Sequence, residues 1–99
     1  MRKLSKKEET LLGEILKIAG IDTDIKSLNV CELDDGGMGS LSIGYNYKLR
    51  SFGKEIAEYQ FHDLDGTIVS ATLNVDTEGA LYELDVFKLD FTETQLLKD

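Results

Sequence analysis

Several residue types are scarce in this 99-residue chain, and most of these scarcities exclude a class of function. The chain has no proline and no tryptophan, one cysteine (Cys31) and one histidine (His62). A lone cysteine cannot form an internal disulfide, which favours the reducing cytoplasm, and a lone histidine argues against a His-based metal site. No apolar run approaches the roughly 20 residues that span a bilayer, and the basic N-terminus lacks the apolar core of a secretory signal. We therefore expect a cytoplasmic protein with no membrane partner.

Negative charge is abundant and unevenly distributed. The formal net charge is −8: residues 1–20 hold five Lys/Arg and three Asp/Glu, whereas residues 21–99 hold six and sixteen. An acidic surface repels nucleic acid and anionic lipid and attracts basic molecules. We expect a protein partner of basic character and no nucleic-acid partner, with plain solubility as the alternative explanation of the charge.

One helix is predicted near the N-terminus, over about residues 5–19. Ser5 and Glu8 match a capping box, in which each side chain accepts a hydrogen bond from a free backbone N–H. Gly20 suits the position just after a helix end. Between these caps, apolar residues recur at helical spacing: Leu11, Leu12, Ile15, Leu16 and Ala19.

Period-two alternation of apolar residues predicts five strands after the helix. Their approximate bounds are 28–33, 41–50, 55–62, 67–76 and 80–91. Turn residues separate neighbouring strands, so we expect the strands to follow one another in the sheet. The chain is thus predicted to be a single α+β domain over residues 1–99, with the N-terminal helix packed on one face of a five-stranded antiparallel β-meander.

Two hairpins fix the expected register. A three-residue loop that ends in Gly66, with a left-handed backbone at that glycine, pairs Phe61 with Val69. In the last hairpin we expect Ala71 to pair with Leu84, because this register places apolar residues opposite one another on the two strands. Beyond residue 86 the apolar residues switch from even to odd numbers, which predicts a bulge or a change of packing partner.

The face of the sheet away from the helix, which we call the open face, is the predicted functional surface. The registers predict three cross-strand rows on it: Lys48–Glu58–Thr72–Glu83, Asn46–Gln60–Ser70–Asp85 and Gly44–His62–Ile68–Phe87. The predicted partner-binding residues are Glu58, Gln60, Ser70, Thr72, Glu83, Asp85 and Phe87. The carboxylates would pair with Lys or Arg of a partner, and Phe87 would be an apolar anchor.

A second candidate site is the loop Asp34–Ser40. Three glycines in four positions permit sharp turns and close approach by another group. The loop lacks the Lys and Ser/Thr of a phosphate loop, and its acids would repel phosphate. It is either a long hairpin turn or part of a ligand site, with Asp34, Asp35, Gly36, Gly37, Met38 and Gly39 as its candidate residues.

Two other groups of residues resemble known functional sites, but each lacks a feature that the site requires. Asp63–Gly66 resembles the start of a calcium loop, but the position six residues after the glycine is Thr72, where a glutamate is needed. His62, Ser70 and Asp85 come close on the predicted open face, but the serine would lie between the acid and the histidine on a flat sheet. We expect no catalytic residues, no metal and no cofactor.

Three segments resemble an uncharacterised family of small bacterial single-domain proteins: Asp34–Leu41 (DDGGMGSL), Leu73–Asp76 and Leu81–Phe91, which contains the motif ELD-x-aromatic-K-x-DF. The resemblance covers nearly the whole chain. That family has no established activity, so the resemblance implies no catalytic residues. Its small acidic α+β build is similar to that of immunity proteins that neutralise bacterial toxins.

Three functions follow as hypotheses. The first is a non-enzymatic protein-binding module, an immunity-like inhibitor that uses the acidic open face against a basic partner. The second is a small-ligand binder or enzyme with its site at Asp34–Ser40. The third is a homodimerisation domain that joins through the open face or an edge strand; the chain would be a monomer in the first case and a dimer in the third.

Overall fold

The fold is an α-helix packed on an antiparallel sheet. The computed structural model describes residues 1–98, which form one α-helix and six strands. The helix α1 spans Lys6–Ala19. The strands are β1 Arg2–Lys3, β2 Asn29–Glu32, β3 Leu41–Ile43, β4 Phe52–His62, β5 Ile68–Asp76 and β6 Leu81–Lys88. Single 3₁₀ turns at Ile25–Ser27 and Tyr47–Leu49 precede β2 and β4. The α+β class is confirmed, but the described residues form six strands where five were predicted.

The strand order is β1-β2-β3-β6-β5-β4, so the predicted meander is wrong. β4, β5 and β6 are consecutive neighbours, but β3 pairs with β6 and not with β4. Leu41 lies opposite Leu84, and Ser42 lies opposite Glu83. The chain after β3 therefore crosses the ends of two strands before it enters the sheet again at its far edge.

The segment 44–51 makes this crossing, and it is not the strand that its alternating pattern predicted. Gly44 and Asn46 take positive φ (81° and 61°), which turns the chain out of the sheet. Tyr47 then stacks on Tyr82, with 4.7 Å between ring centroids. Arg50 fixes the crossing through its guanidinium: it donates to the carbonyls of Ile43 and Leu81 and, at 3.0 Å, to the carboxylate of Asp76. The predicted strand 41–50 is thus only three residues long, because polar side-chain contacts replace the sheet hydrogen bonds.

One predicted register is confirmed and the other is wrong. Phe61 lies opposite Val69, and Gly66 has a φ of 86°, as the loop length required. In the next hairpin Ala71 lies opposite Val86 and not Leu84, a shift of two residues. A bulge between Asn74 and Val75 accounts for one residue of this shift, and apolar matching alone could not detect it.

Helix α1 forms as its caps predict. The side chain of Ser5 accepts from the N–H of Glu8, the side chain of Glu8 accepts from the N–H of Ser5, and Gly20 ends the helix with a φ of 70°. Its apolar stripe packs on one face of the sheet to form the core: Leu11, Leu12, Ile15, Leu16, Val30, Leu41, Ile43, Ala57, Val69, Ala71, Leu73, Leu84 and Val86. In the part of the chain that the structure describes, no helix is both long and apolar enough to cross a membrane.

The end of β6 does not contain the bulge that was one of the two predictions for the residues after 86. The strand continues without a bulge to Lys88, which lies opposite Val69 and faces the helix side. Lys88 is only 1% exposed, and its ammonium lies 2.8 Å from Asp63 and 2.7 Å from Asp65. The Asp63 carboxylate also accepts from the N–H groups of Gln95 and Leu96. This buried ion pair therefore ties the C-terminal segment 89–98 to the loop between β4 and β5.

Candidate functional site

The open face carries all seven predicted partner-binding residues, but in different rows. The rows that the structure forms are Glu58–Thr72–Asp85 and Gln60–Ser70–Phe87. Glu83 lies between Asn74 of β5 and Ser42 of β3. The register error was two residues, and a shift of two leaves each side chain on the same face of a strand. Lys48, Asn46 and Gly44 do not extend these rows, because β3 lies beside β6 and the chain has left the sheet at Gly44.

Two carboxylates of the open face, Glu83 and Asp85, form an acidic cluster with Asp35 of the adjoining glycine-rich loop. Partial burial raises the pKa of Asp85, and the negative charges of Glu83 and Asp35 raise it further, against a hydrogen bond from Ser40. Among residues 1–98, none of the three carboxylates lies within 4.0 Å of a Lys or Arg nitrogen. The cluster is therefore a concentration of negative charge without an internal counterion.

Neutral donors hold two members of the acidic cluster in place. The Tyr47 hydroxyl donates to Glu83 at 2.7 Å, and the Asn74 amide donates to it at 3.0 Å. Burial and the contact with Glu83 raise the pKa of Tyr47, so that its hydroxyl keeps the proton that it donates. The Asp35 carboxylate accepts from the N–H groups of Met38 and Ser40 at 3.1 and 2.9 Å. Burial acts to raise the pKa of Asp35, but these hydrogen bonds hold it below its usual value.

The buried acids elsewhere in the chain all have cations. Glu8 pairs with Arg2 at 2.7 Å, Asp63 pairs with Lys88, and Asp76 pairs with Arg50. Sequence analysis missed these three pairs. Lys88 had a recognisable signal, because it continues the even-numbered alternation of Tyr82, Leu84 and Val86 that faces the core. The members of the acidic cluster, which are half-buried or exposed, have no such partner within residues 1–98.

The glycine-rich loop packs against the C-terminal segment. A Cβ added to Gly37 would lie 2.5 Å from Oε1 of Glu93, and one added to Gly39 would lie 3.0 Å from Cδ1 of Leu97. The carbonyl of Gly37 also accepts from the N–H of Thr94 at 3.2 Å. Two of the three glycines thus permit close packing within the chain. Asp34 and Gly36 are exposed, and Asp35 with Ser40 connects the loop to the open face, so the two predicted sites adjoin each other.

A cleft of about 580 Å³ adjoins this loop, and Asp35, Gly37 and Gly39 line it. It is bounded by β1, the start of α1, the glycine-rich loop and the C-terminal segment. Its charged side chains carry both signs, and several are already paired: Arg2 contacts Glu8 and Glu32, and Lys98 lies 3.3 Å from Glu93. The cleft could admit a small molecule, although most of its charges are satisfied within the chain.

An exposed group of apolar side chains, which we call the apolar patch, lies at one end of the open face. It consists of Ile68, Phe87, Leu89 and Phe91. The rings of Phe87 and Phe91 meet at right angles, with 5.2 Å between centroids. The predicted change of packing partner after Val86 did not bury these residues. Contiguous exposed apolar side chains often mark an interaction site.

The observed register changes the position of Asp85 relative to Ser70 and His62. Ser70 lies opposite Phe87, and not opposite Asp85 as the predicted register had it. His62 lies opposite Ile68 at the end of β4. Within residues 1–98, no three His, Cys, Asp or Glu side chains are grouped so that they could hold a metal ion.

A family model described as a domain of unknown function (DUF6984) matches residues 1–98 of the chain. No curated protein and no solved structure matches it. The match spans α1 and every strand described above, and it agrees with the expected membership in a family without an established activity.

Proposed function

Since the chain belongs to the DUF6984 family, whose description assigns no function, we propose from the geometry that it is a protein-binding module that holds a basic partner on its open face. One observation carries the proposal. The acidic cluster lacks an internal counterion, whereas the buried acids of the same chain are paired with Arg or Lys. A partner's Lys or Arg would supply the missing charge.

The electrostatics of the free protein favour such a partner. The net charge of −8 attracts cations at long range and accelerates encounter. At short range, a cation placed between Glu83 and Asp85 would relieve the repulsion that raises the pKa of Asp85. The carboxylates are held on paired strands, so little side-chain or backbone ordering is needed on binding.

We extend the proposal to the compartment in which the protein works and to the class of its partner. Cys31 is a free thiol, which suits a reducing cytoplasm. A basic toxin or nuclease is the kind of partner that an immunity-like inhibitor of this charge would cover. No catalytic residue is required for this function.

Charge reversal tests the open face. We expect Glu83→Lys/Asp85→Lys to weaken binding of a lysine-rich peptide by about tenfold or more. The matched control Asp22→Lys/Asp24→Lys changes the same net charge, from −8 to −4, at two exposed acids away from the sheet. Affinity is measured by titration of amide chemical shifts, which also locate the peptide on the protein.

The control separates a specific surface from general attraction. Equal loss of affinity in both variants, or shift changes spread over the whole molecule, would mean that only net charge matters. Glu83→Gln/Asp85→Asn covers the case in which charge reversal disturbs the fold. It keeps hydrogen-bonding groups for Tyr47, Asn74 and Ser40, and it should also weaken binding.

A small-ligand site is the second candidate function, and the cleft of about 580 Å³ is the observation that favours it. Its mixed charges suit a small zwitterion. Titration with the twenty common amino acids should then shift the amide signals of Gly37, Gly39 and Thr94, which line it. Unchanged signals at these three residues, at millimolar ligand, would remove this candidate.

Homodimerisation is the third candidate, supported by the free edge of β4, a strand of 11 residues at the end of the sheet. Bulges next to Lys54 and Ala57 weaken this candidate, because irregular edges resist pairing. The solution mass distinguishes it from a monomeric binding module.

A further inference from the structure

Phe91 adopts a backbone conformation that phenylalanine rarely takes. Its φ is 65°, in the left-handed region, where a Cβ clashes with the backbone. The other residues with a positive φ in residues 1–98 are seven glycines and Asn46, and both residue types tolerate this region. A bulky aromatic residue at this one position requires a reason.

Local contacts explain the turn but not the phenylalanine. The N–H of Phe91 donates to the carbonyl of Lys88 at 3.0 Å, and the Asp90 carboxylate accepts from the N–H of Thr92 at 3.0 Å. Glycine at position 91 would make the same backbone contact without the clash. The ring gains little from burial in return, since Phe91 is 70% exposed and Phe87, which it touches, is 39% exposed.

The aromatic pair Phe87 and Phe91 lies beside the acidic cluster. Phe87 and Asp85 lie two apart on β6 and so project from the same face, roughly 7 Å apart by strand rise. Ile68 lies diagonally across from Phe87 on the neighbouring strand and extends the apolar surface. Negative charge and apolar surface thus lie side by side on one face.

We propose that Phe87 and Phe91 form the apolar anchor of the partner interface, and that the partner segment presents an apolar side chain next to Lys or Arg residues. This proposal rests on the proposed function and specifies the chemistry of its partner. The cationic residues of that segment meet the acidic cluster, and its apolar side chain packs against the two perpendicular rings. The strained backbone at Phe91 holds the second ring in place before the partner arrives, as strained residues at binding sites often do.

The decisive variant is Phe91→Gly. If the phenylalanine serves binding, its removal relieves strain, and the urea midpoint of unfolding is unchanged or higher. If the ring instead stabilises the free fold, the midpoint falls, and the proposal is overturned. Leu49→Ala is the matched control, because Leu49 is a highly exposed apolar residue outside the apolar patch.

The binding probe is a pair of synthetic peptides: lysines around one central leucine, and the same peptide with serine at the centre. We expect the wild-type chain to bind the leucine peptide about tenfold more tightly. Phe91→Gly and Phe87→Ala should each reduce that preference to about twofold or less, while Leu49→Ala keeps it.

The outcomes separate this proposal from the one on which it rests. Glu83→Gln/Asp85→Asn should weaken both peptides and keep the preference for leucine. Binding that depends on the two acids but shows no preference for leucine overturns the anchor and leaves the acidic face supported. Failure of both peptides to bind the folded wild-type chain overturns both proposals.

Discussion

Lys88→Met is expected to lower the melting temperature by roughly 10–20 °C, the largest effect that we predict for any single substitution. The methionine keeps most of the apolar stem of Lys88 but removes its ammonium. Asp63, which is 4% exposed, would then keep a negative charge inside the protein with no cation beside it. Loss of one partner from a buried ion pair costs far more than loss of a surface pair. Thermal unfolding followed by circular dichroism measures the change.

Two further variants test this explanation. Lys98→Met removes a lysine from an exposed pair with Glu93 and should shift the melting temperature by only a few degrees. Adding Asp63→Asn to Lys88→Met should recover part of the loss, because the stranded charge disappears while a side-chain oxygen can still accept from Gln95 and Leu96. A double variant that is less stable than Lys88→Met alone would contradict the explanation.

Acid is expected to destabilise the protein because it protonates the Asp63 carboxylate. Burial acts to raise the pKa of Asp63, but the Lys88 ammonium and the N–H groups of Gln95, Leu64 and Leu96 hold it well below its ordinary value of 3.8. Between the folded and the unfolded pKa, the unfolded chain binds a proton that the folded chain does not. The contribution of Asp63 to stability is therefore complete above about pH 4 to 5 and is lost as the pH falls further.

Among the other acids of residues 1–98 whose pKa is shifted, Asp85 has a raised pKa and five have a lowered one: Glu8, Asp35, Asp65, Asp76 and Asp90. The pKa of Glu8 is also lowered, since hydrogen bonds from Arg2 and Ser5 outweigh its burial, and it adds to the acid sensitivity. The pKa of Asp85 is raised, so its charged form destabilises the fold, and that cost disappears as Asp85 takes up a proton. Urea unfolding across about pH 2 to 7 should show a steep fall only at the acid end. Asp63→Asn should flatten that fall; a profile parallel to that of the wild-type chain would exclude Asp63 as its main source.

Local features of the fold were predictable from sequence, and distant pairings were not. The capping box at Ser5 and Glu8, the helix end at Gly20 and the loop that ends in Gly66 each depend on residues within a few positions of one another. The pairing of β3 with β6 joins residues about forty positions apart, and no periodicity encodes it. The alternation over 45–50 was misleading because Arg50 and Tyr47 find polar and stacking partners outside a sheet. The two-residue strand β1 is too short to have a period.

The candidate site was predictable in composition but not in arrangement. The seven predicted residues share the open face because the register error was an even number. The contribution of Asp35 to the acidic cluster was not predicted, because it depends on how the glycine-rich loop folds toward β6. Phe91 was not identified as special, since a positive φ on a phenylalanine leaves no mark in the sequence.

The position of β6 has a consequence for how the chain folds during synthesis. The ribosome makes this strand after the other five, yet β6 lies in the interior of the sheet, between β3 and β5. A nascent chain that ends before residue 81 has two separate strand groups, each with an unpaired edge that could recruit the wrong neighbour. Productive folding must therefore wait for β6, and long-range closure of this kind is slow. Because β6 carries Glu83, Asp85 and Phe87, the open face first exists as a surface at that late step.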